Sequence, residues 1–484
     1  MGQTLNATRK ARAGVGAGTA RTQRALARAR GAAAPPLDVR GPERGGRGEV
    51  AGARTPERAC CGRALTDFAA MDLVAPASTQ AQAAHSGYRP ATRRHRQRRS
   101  RGTWVHANRS SGDACATSGP DKLMLGTMQL GELLGREASF ALLSHALREH
   151  GVRAFDSAEM YPVPQRAATA GDSERIIGAW MRVAGVARDS VLLSTKATGP
   201  GDMEWIRGGP GPLTADAIET ALDGSLRRMG TDYVDIYHLH WPDRYVPMFG
   251  EVHYDVNRRF RGAVPLEEQL EALQRAIHKG KVRRAALSNE TPYGVARCVH
   301  AAGGASAPTS CAKVSAVQQA YSLLNRTFDA GLAEACVEGG VSLLAYAPLA
   351  AGLLSGKYHG YSGASVEVDA EELSASRHGG PGGARLNMYA GKGDEDEERY
   401  HPEAPNVEEA VHEYMALAAA VGETPASFAL RFVLSHPMLE RAVIGATCAQ
   451  QLDELCGAAQ RGPLDERSLE RIDHVHARYP NPTP

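Results

Sequence analysis

The sequence predicts a parallel (β/α)8 barrel, a TIM barrel, preceded by a disordered basic N-terminal extension. Three observations carry that prediction. From about residue 120 onward, short β-branched runs alternate with amphipathic helical stretches, the rhythm of βα units built around a parallel sheet. Eight such runs fall within about 360 residues, the number that closes a barrel. The turn after the first run, Gly126-Thr-Met-Gln-Leu-Gly131, lacks the Gly-x-Gly-x-x-Gly spacing that would open a doubly wound nucleotide-binding sheet.

The strand-like runs are Leu123–Met128, Arg153–Asp156, Val191–Thr195, Val234–His240, Arg284–Ser288, Val314–Gln318, Ser342–Tyr346 and Arg441–Gly445. Each is short and rich in Val, Ile, Leu or aromatic residues, as a strand covered on both faces should be. Helical spacing appears between them at Ser139–His150, Glu174–Val183, Thr214–Met229, Leu266–His278 and Asn406–Val421, where apolar residues recur every three or four positions. The barrel is therefore expected over residues 119–484.

The chain of 484 residues is 43% hydrophobic and 23% charged, the balance of a soluble globular protein. Its net charge of +2 hides a division. Residues 1–118 hold twenty Arg and one Lys against seven acids, about +14, which leaves about −12 for the remainder. This head has few large apolar residues and no apolar periodicity, so it is expected to be disordered. Three readings fit it. An Arg-rich, acid-poor leader has the composition of an organelle transit peptide, which would place the mature protein in a plastid or mitochondrion, with the cytoplasm as the alternative. The cluster Arg93-Arg-His-Arg-Gln-Arg-Arg99 also suits a nuclear address or a nucleic-acid patch. Translation from Met71 or later would leave part of the head unmade. Nucleic-acid binding calls for interleaved aromatics or a folded reader, and neither is present, so no nucleic-acid partner is expected. No apolar run reaches the length of a membrane span. Oligomeric state is not readable.

Eight cysteines stand at 60, 61, 115, 298, 311, 336, 448 and 456. None forms a Cys-x-x-Cys pair, and the density is too low for a disulfide scaffold. Reduced thiols and no metal are expected.

In such barrels chemistry gathers where strands end, on the C-terminal face. The second strand runs out through Asp156-Ser-Ala-Glu-Met-Tyr161, the third through Ser194-Thr-Lys196, the fourth through His238-Leu-His240. Singly, an Asp there caps a loop and a Lys is a solvated rim charge. Together, Asp156, Tyr161, Lys196 and His240 converge on one mouth. A phenol is a poor proton donor near neutral pH unless its pKa falls. A nearby ammonium stabilises the phenolate, an aspartate holds that ammonium in place, and a histidine orients a carbonyl. Of His238 and His240, one is expected to face the barrel and the other the helices.

These phrases, with Asp235-Ile-Tyr-His-Leu-His240, resemble the signatures of the aldo-keto reductases. Ala158-Glu-Met-Tyr-Pro-Val-Pro164, His240-Trp-Pro242, Ser288-Asn-Glu-Thr291 and Tyr321-Ser-Leu-Leu-Asn-Arg326 are similar to those of its Tas-like branch. The likeness spans about 123–478. It implies a tetrad of Tyr161 as general acid, Lys196 and Asp156 tuning it, and His240 orienting the carbonyl. It also implies a nicotinamide cofactor. Ser288, Asn289 and Gln318 would hold the carboxamide, and Tyr346 would stack on the ring. A flat ring needs a face to lie on and an amide needs fixed partners. In Leu349-Ala-Ala-Gly-Leu-Leu-Ser-Gly-Lys357 the small residues, Gly352 among them, let backbone N–H groups approach a pyrophosphate that Lys357 neutralises. Gly445, Thr447, Gln451 and Glu454 match the segment that holds the adenosine end.

The chain departs from the pattern in places. Leu455 stands where the family usually has Asn, and only Thr447 and Gln451 lie where many members carry a basic residue for a 2′-phosphate. Arg385 could supply that charge from beyond an insertion, Tyr358–Gly382. NADPH is expected over NADH. The family's N-terminal hairpin is not recognisable before Leu123. The resemblance implies an NADPH-dependent reductase of small-molecule aldehydes or ketones. The rival reading is a nucleotide-binding sensor or partner subunit with little turnover.

Overall fold

The computed structural model describes residues 118–484 apart from 210, 260–261, 304–309, 362–384 and 387–398. The expectation of a disordered extension over 1–118 lies outside the described residues except at Ser118, and the insertion Tyr358–Gly382 is described only as far as Tyr361.

Eight parallel strands close into a barrel in sequence order: β1 Leu123–Gly126, β2 Ala154–Asp156, β3 Leu192–Ala197, β4 Val234–Leu239, β5 Val282–Ser288, β6 Val314–Ala320, β7 Ser342–Tyr346 and β8 Leu439–Ile444. Ten helices are described around them: α1 Arg136–Arg148, α2 Asp172–Ala184, α3 Ala215–Met229, α4 Leu266–His278, α5 Pro292–Ala301, α6 Ala333–Gly339, α7 Pro405–Ala420, α8 Pro425–Leu434, α9 Ala449–Arg461 and α10 Glu466–Arg478. The predicted (β/α)8 barrel is the fold, with strand ends shifted by a residue or two. β1 stops at Gly126 because Thr127 turns back, its N–H and Oγ1 both donating to Asp156 O at 2.9 Å. Helix boundaries follow local chemistry. Thr214 caps α3 by accepting from Ala217 N, and Gly230 ends it in the left-handed region, where a side chain would be strained. Thr291 and Thr424 cap α5 and α8, each followed by Pro at the first helical position, where a missing N–H costs nothing.

The sheet has two faces, and the two-residue period of a strand sorts side chains between them. Outward residues such as Phe155, Leu193, Tyr237, Leu287, Val317 and Leu343 pack under the helices in the large core. Inward residues Met124, Ala154, Ile236, Ala286, Ala316, Leu344 and Val443 form a separate apolar layer inside the barrel. This period corrects one expectation. His238 and His240 do not face opposite ways. Residues two apart share a face, so both follow Ile236 inward, and His238 bonds the inward Ser194 of the neighbouring strand β3 at 3.0 Å. Tyr237 and Leu239 take the outward face instead.

The barrel closes through β1 and β8, with Leu123 opposite Ala442 and Leu125 opposite Ile444. Lys122 Nζ reinforces the seam by donating to Leu439 O at 2.9 Å. The described cysteines, Cys298, Cys311, Cys336, Cys448 and Cys456, are free thiols. No single helix among the described residues is long and apolar enough to cross a membrane.

Two glycines in helix interiors test the packing with opposite signs. A Cβ on Gly178 in α2 would lie 2.3 Å from the Met229 carbonyl oxygen at the end of α3, a backbone atom that cannot step aside. Gly178→Ala should cost roughly 1–3 kcal/mol through overpacking. Gly457 in α9 meets only the tip of Arg461, at 3.8 Å, so Gly457→Ala should gain about 0.5–1 kcal/mol from reduced unfolded-state freedom. Urea midpoints of the two variants should move in opposite directions from wild type.

Candidate active site

Two residues above the apolar layer, the inward positions turn polar. Ala154 leads to Asp156, Leu192 to Ser194 and then Lys196, Ile236 to His238 and then His240, Ala286 to Ser288, Ala316 to Gln318, and Leu344 to Tyr346. All stand at or just past the C-terminal strand ends.

Lys196 has no exposed surface. Its Nζ donates to Asp156 Oδ2 at 2.5 Å and to the Ser157 carbonyl at 2.7 Å. The other carboxylate oxygen of Asp156 accepts from Ser194 Oγ at 2.7 Å and from Gln318 Nε2 at 3.1 Å. Burial pulls the Lys196 ammonium below its ordinary pKa, and Asp156 opposes that pull. The same burial lowers His238 to about 4. It also takes His240 well below the usual imidazole range, with Lys196 and His238 adding to the effect. Both rings are therefore neutral at neutral pH. His240 Nδ1 is buried without a hydrogen-bond partner, so the ring's tautomer is free to answer a ligand.

Tyr161 follows β2 on a loop and meets His240 edge to face, ring centres 5.7 Å apart. Lys196 Nζ lies 5.0 Å from the Tyr161 ring centre. Beside them Met160 and Trp241 pack with Ala158 and Ile206 in a small apolar cluster. Trp241 is fixed by its Nε1 bond to Pro200 O at 2.9 Å.

These groups open onto a cavity of about 430 Å³, within the range of small-molecule sites. Asp156, Tyr161, His240, Ser288, Asn289, Gln318, Tyr346, Leu349, Gly352, Lys357, Arg385, Gly445, Thr447, Gln451 and Glu454 all line it. Of the residues the sequence singled out, only Lys196 is off the wall, buried beneath the floor. In the middle of the cavity Tyr346 Oη donates to Asn289 Oδ1 at 2.8 Å, and Asn289 Nδ2 donates to the His240 carbonyl at 3.0 Å. This chain fixes both the amide of Asn289 and the ring of Tyr346. An aromatic face beside polar Ser288, Asn289 and Gln318 suits a flat ring carrying an amide.

The wall also carries cations, Lys357 and Arg385. Burial, and then the neighbouring Arg385, push the Lys357 pKa down to about 8. Lys357 and Arg385 give this part of the wall a positive character, to which an anionic group is drawn. Lys357 folds back over Gly352, where a Cβ would sit 2.8 Å from its Cε. Beyond it, Gln451 Oε1 accepts from Thr447 N and Oγ1 at 2.9 and 3.2 Å, and Glu454 accepts from Thr424 Oγ1. Four non-glycine residues on the cavity wall, Phe249, Asn289, Ala347 and Ala351, adopt positive φ between 52° and 54°. Such strain gathers at ligand sites.

Some lining residues were not foreseen. Phe249 closes the apolar wall, 6.5 Å from Trp241 in a T-shaped pair. Arg399 and Tyr400 arrive from beyond the insertion, Arg399 Nη1 donating to Tyr346 Oη at 3.5 Å. Ser194 and His238 buttress Asp156 from below. Phe249 lies in a loop, and none of Phe249, Arg399 and Tyr400 carries a periodic signal in the sequence. His238 was signalled, by its spacing of two from His240.

Residues 122–477 match the family model described as the Aldo/keto reductase family. The chain is 35% identical over 364 residues to Protein tas of Escherichia coli (strain K12), covering 75% of this chain and 96% of that protein. It is 36% identical over 310 residues to an aldo-keto reductase of Babesia bovis, covering 60% of this chain and 98% of that one. It is 31% identical over 229 residues to the aldo-keto reductase yakc [NADP(+)] of Schizosaccharomyces pombe, covering 46% and 55%.

The buried pair at the floor predicts a pH-dependent stability defect. Asp156→Asn leaves the Lys196 ammonium without its counter-ion and should cost roughly 3–5 kcal/mol near neutral pH. With its folded pKa depressed, Lys196 binds fewer protons folded than unfolded, so stability rises as pH climbs toward the unfolded lysine value near 10.4. Urea unfolding from about pH 6 to 10 should show the gap to wild type narrowing. A constant gap would mean that Lys196 is not the stranded charge.

Proposed function

This chain belongs to the aldo/keto reductase family, and from that premise we propose that it is an NADPH-dependent reductase of aldehydes and ketones with Tyr161 as the proton donor. Family membership makes it an oxidoreductase acting on small-molecule carbonyl compounds. The finer reading rests on one observation above all. A buried Lys196–Asp156 pair, a tyrosine and a neutral histidine meet at a cavity whose wall also carries two partly buried cations, Lys357 and Arg385.

The carbonyl oxygen is received between the Tyr161 hydroxyl and the His240 ring. Because His240 is neutral, it orients that oxygen by hydrogen bonding and brings no competing charge. Tyr161 gives up its proton as negative charge develops on the oxygen. Lys196 stabilises the phenolate left behind, and Asp156, held by Ser194 and Gln318, keeps Lys196 charged and in place. The nicotinamide, when bound, supplies the hydride to the carbonyl carbon. Ser288, Asn289 and Gln318 are the groups to hold its amide, Tyr346 to face its ring, and Gly445, Thr447, Gln451 and Glu454 to receive the adenosine end. Lys357 and Arg385 are the anion partners, and the NADP(+) in the name of the yakc relative accords with them. Met160, Trp241 and Phe249 give the substrate side an apolar wall, which favours carbonyl compounds with hydrophobic substituents.

Two measurements test this reading. Tyr161→Phe removes the proton donor and keeps the ring. Reduction of an aldehyde panel should slow by roughly 10²–10⁴-fold with cofactor affinity little changed. Turnover within a few-fold of wild type would defeat the assignment. A wild type that binds NADPH but turns over no carbonyl would favour the sensor reading.

Cofactor titration followed by fluorescence should show NADPH binding more tightly than NADH, with the preference reduced in Arg385→Ala. The Lys357 ammonium is the binding form, and its pKa of about 8 rises when phosphate binds. NADPH affinity should therefore be flat below about pH 8 and weaken above it. Lys357→Arg, charged throughout, should flatten that limb.

A further inference from the structure

We infer that His145, His150 and Asp453 form a binding site for one zinc-class divalent cation on the outer wall of the barrel, tying α1 to α9. His145 Nε2 and His150 Nε2 both point at a single carboxylate oxygen, Asp453 Oδ1, at 2.5 and 2.6 Å. The imidazole rings meet edge to face with centres 5.1 Å apart. All three ligand atoms lie within 4.8 Å of one another. None of these residues lines the cavity, and the proposed chemistry uses none of them.

The local fold explains the convergence. His145 occupies the last turn of α1, and His150 lies just past its end. Gly151 follows with φ +67°, turning the chain so that the second ring comes back beside the first. Asp453 projects from α9. The strands preceding these helices, β1 and β8, are the pair that closes the barrel.

Two imidazole nitrogens and a carboxylate oxygen are the donor set of a tetrahedral zinc site with three protein ligands and one open position for water. With metal–ligand distances near 2.0–2.1 Å, ligand atoms in such a site stand ~3.3 Å apart. The two nitrogen–carboxylate distances need to open by about 0.7–0.8 Å. Asp453 can supply that movement because its side chain is half exposed. The histidines are more enclosed, at 28% and 17%, and stay in place. Binding requires each Nε2 to lose its proton in favour of Nδ1. No protein group among the described residues holds either Nδ1, so the tautomer exchange is cheap.

The test is titration of the full-length protein with CoCl2 and ZnCl2 under reducing conditions. We expect one equivalent to bind, with visible cobalt bands of tetrahedral intensity that zinc displaces. The unfolding temperature should rise by a few degrees at saturating zinc. His145→Ala and His150→Ala should each weaken binding at least tenfold. Asp453→Asn, which keeps the shape and all but one charge, should do the same without loss of folded structure by circular dichroism. Carbonyl reduction is not the readout, so failure here and failure of the reductase reading are separate results. No stoichiometric binding would overturn the site, leaving a hydrogen-bonded triad. So would a thiolate-to-cobalt charge-transfer band with binding undiminished in a variant that combines all three substitutions, which would move the metal to the cysteines.

Discussion

A lysine ammonium with no access to water must be paired, and the pairing of Lys196 with Asp156 organises the mouth of this barrel. The carboxylate cannot simply lie near the lysine. Each of its oxygens has work, one taking Lys196 and the other taking Ser194 and Gln318. That network joins β2, β3 and β6 across the lumen, so three strands share one electrostatic constraint. His238 extends it to β4 by donating from Nε2 to Ser194. Low local polarity makes such a network stiff when every member is satisfied, and costly when one is removed. The tyrosine and the neutral histidine that face the cavity stand on this floor.

Much of this was legible because one rule governs both core and site. A strand alternates its faces, so inward positions can be apolar at one level and polar two residues later without disturbing the outer core. The sequence carries that change in Ala154 and Asp156, Ala286 and Ser288, and Ala316 and Gln318. Strand-end motifs therefore led to the cavity wall residue by residue. The same rule, misapplied, sent His238 and His240 to opposite faces, although a spacing of two puts both inside. Lys196 was readable as a member of the site but not as its buried foundation, since burial depends on the register of β3 against β2 and β4.

What was not legible depends on long connections. Phe249, Arg399 and Tyr400 reach the cavity from segments whose composition follows no period, and only the closed fold brings them there. The grouping of His145 and His150 with Asp453 joins positions about 300 apart in the chain. The sequence pattern of cysteines gave no reason to look for a metal, because the candidate ligands are histidines gathered by helix packing. One helix start was legible from local sequence. Thr214 marked the start of α3 by its position alone, since the side chain of a cap needs nothing beyond its own first turn.

The seam between β1 and β8 has a consequence for how the protein is made. Its bonds join residues as far apart as Lys122 and Leu439, 317 positions along the chain. During synthesis, until β8 is available, β1 and β7 each lack the barrel neighbour that β8 provides. Unpaired edges invite pairing with other chains, and distant pairings are slow to form. The nascent protein must therefore survive the interval until β8 is released. Chaperone demand and aggregation during synthesis should be governed by the time that separates release of β7 from release of β8, more than by the stability of the finished barrel.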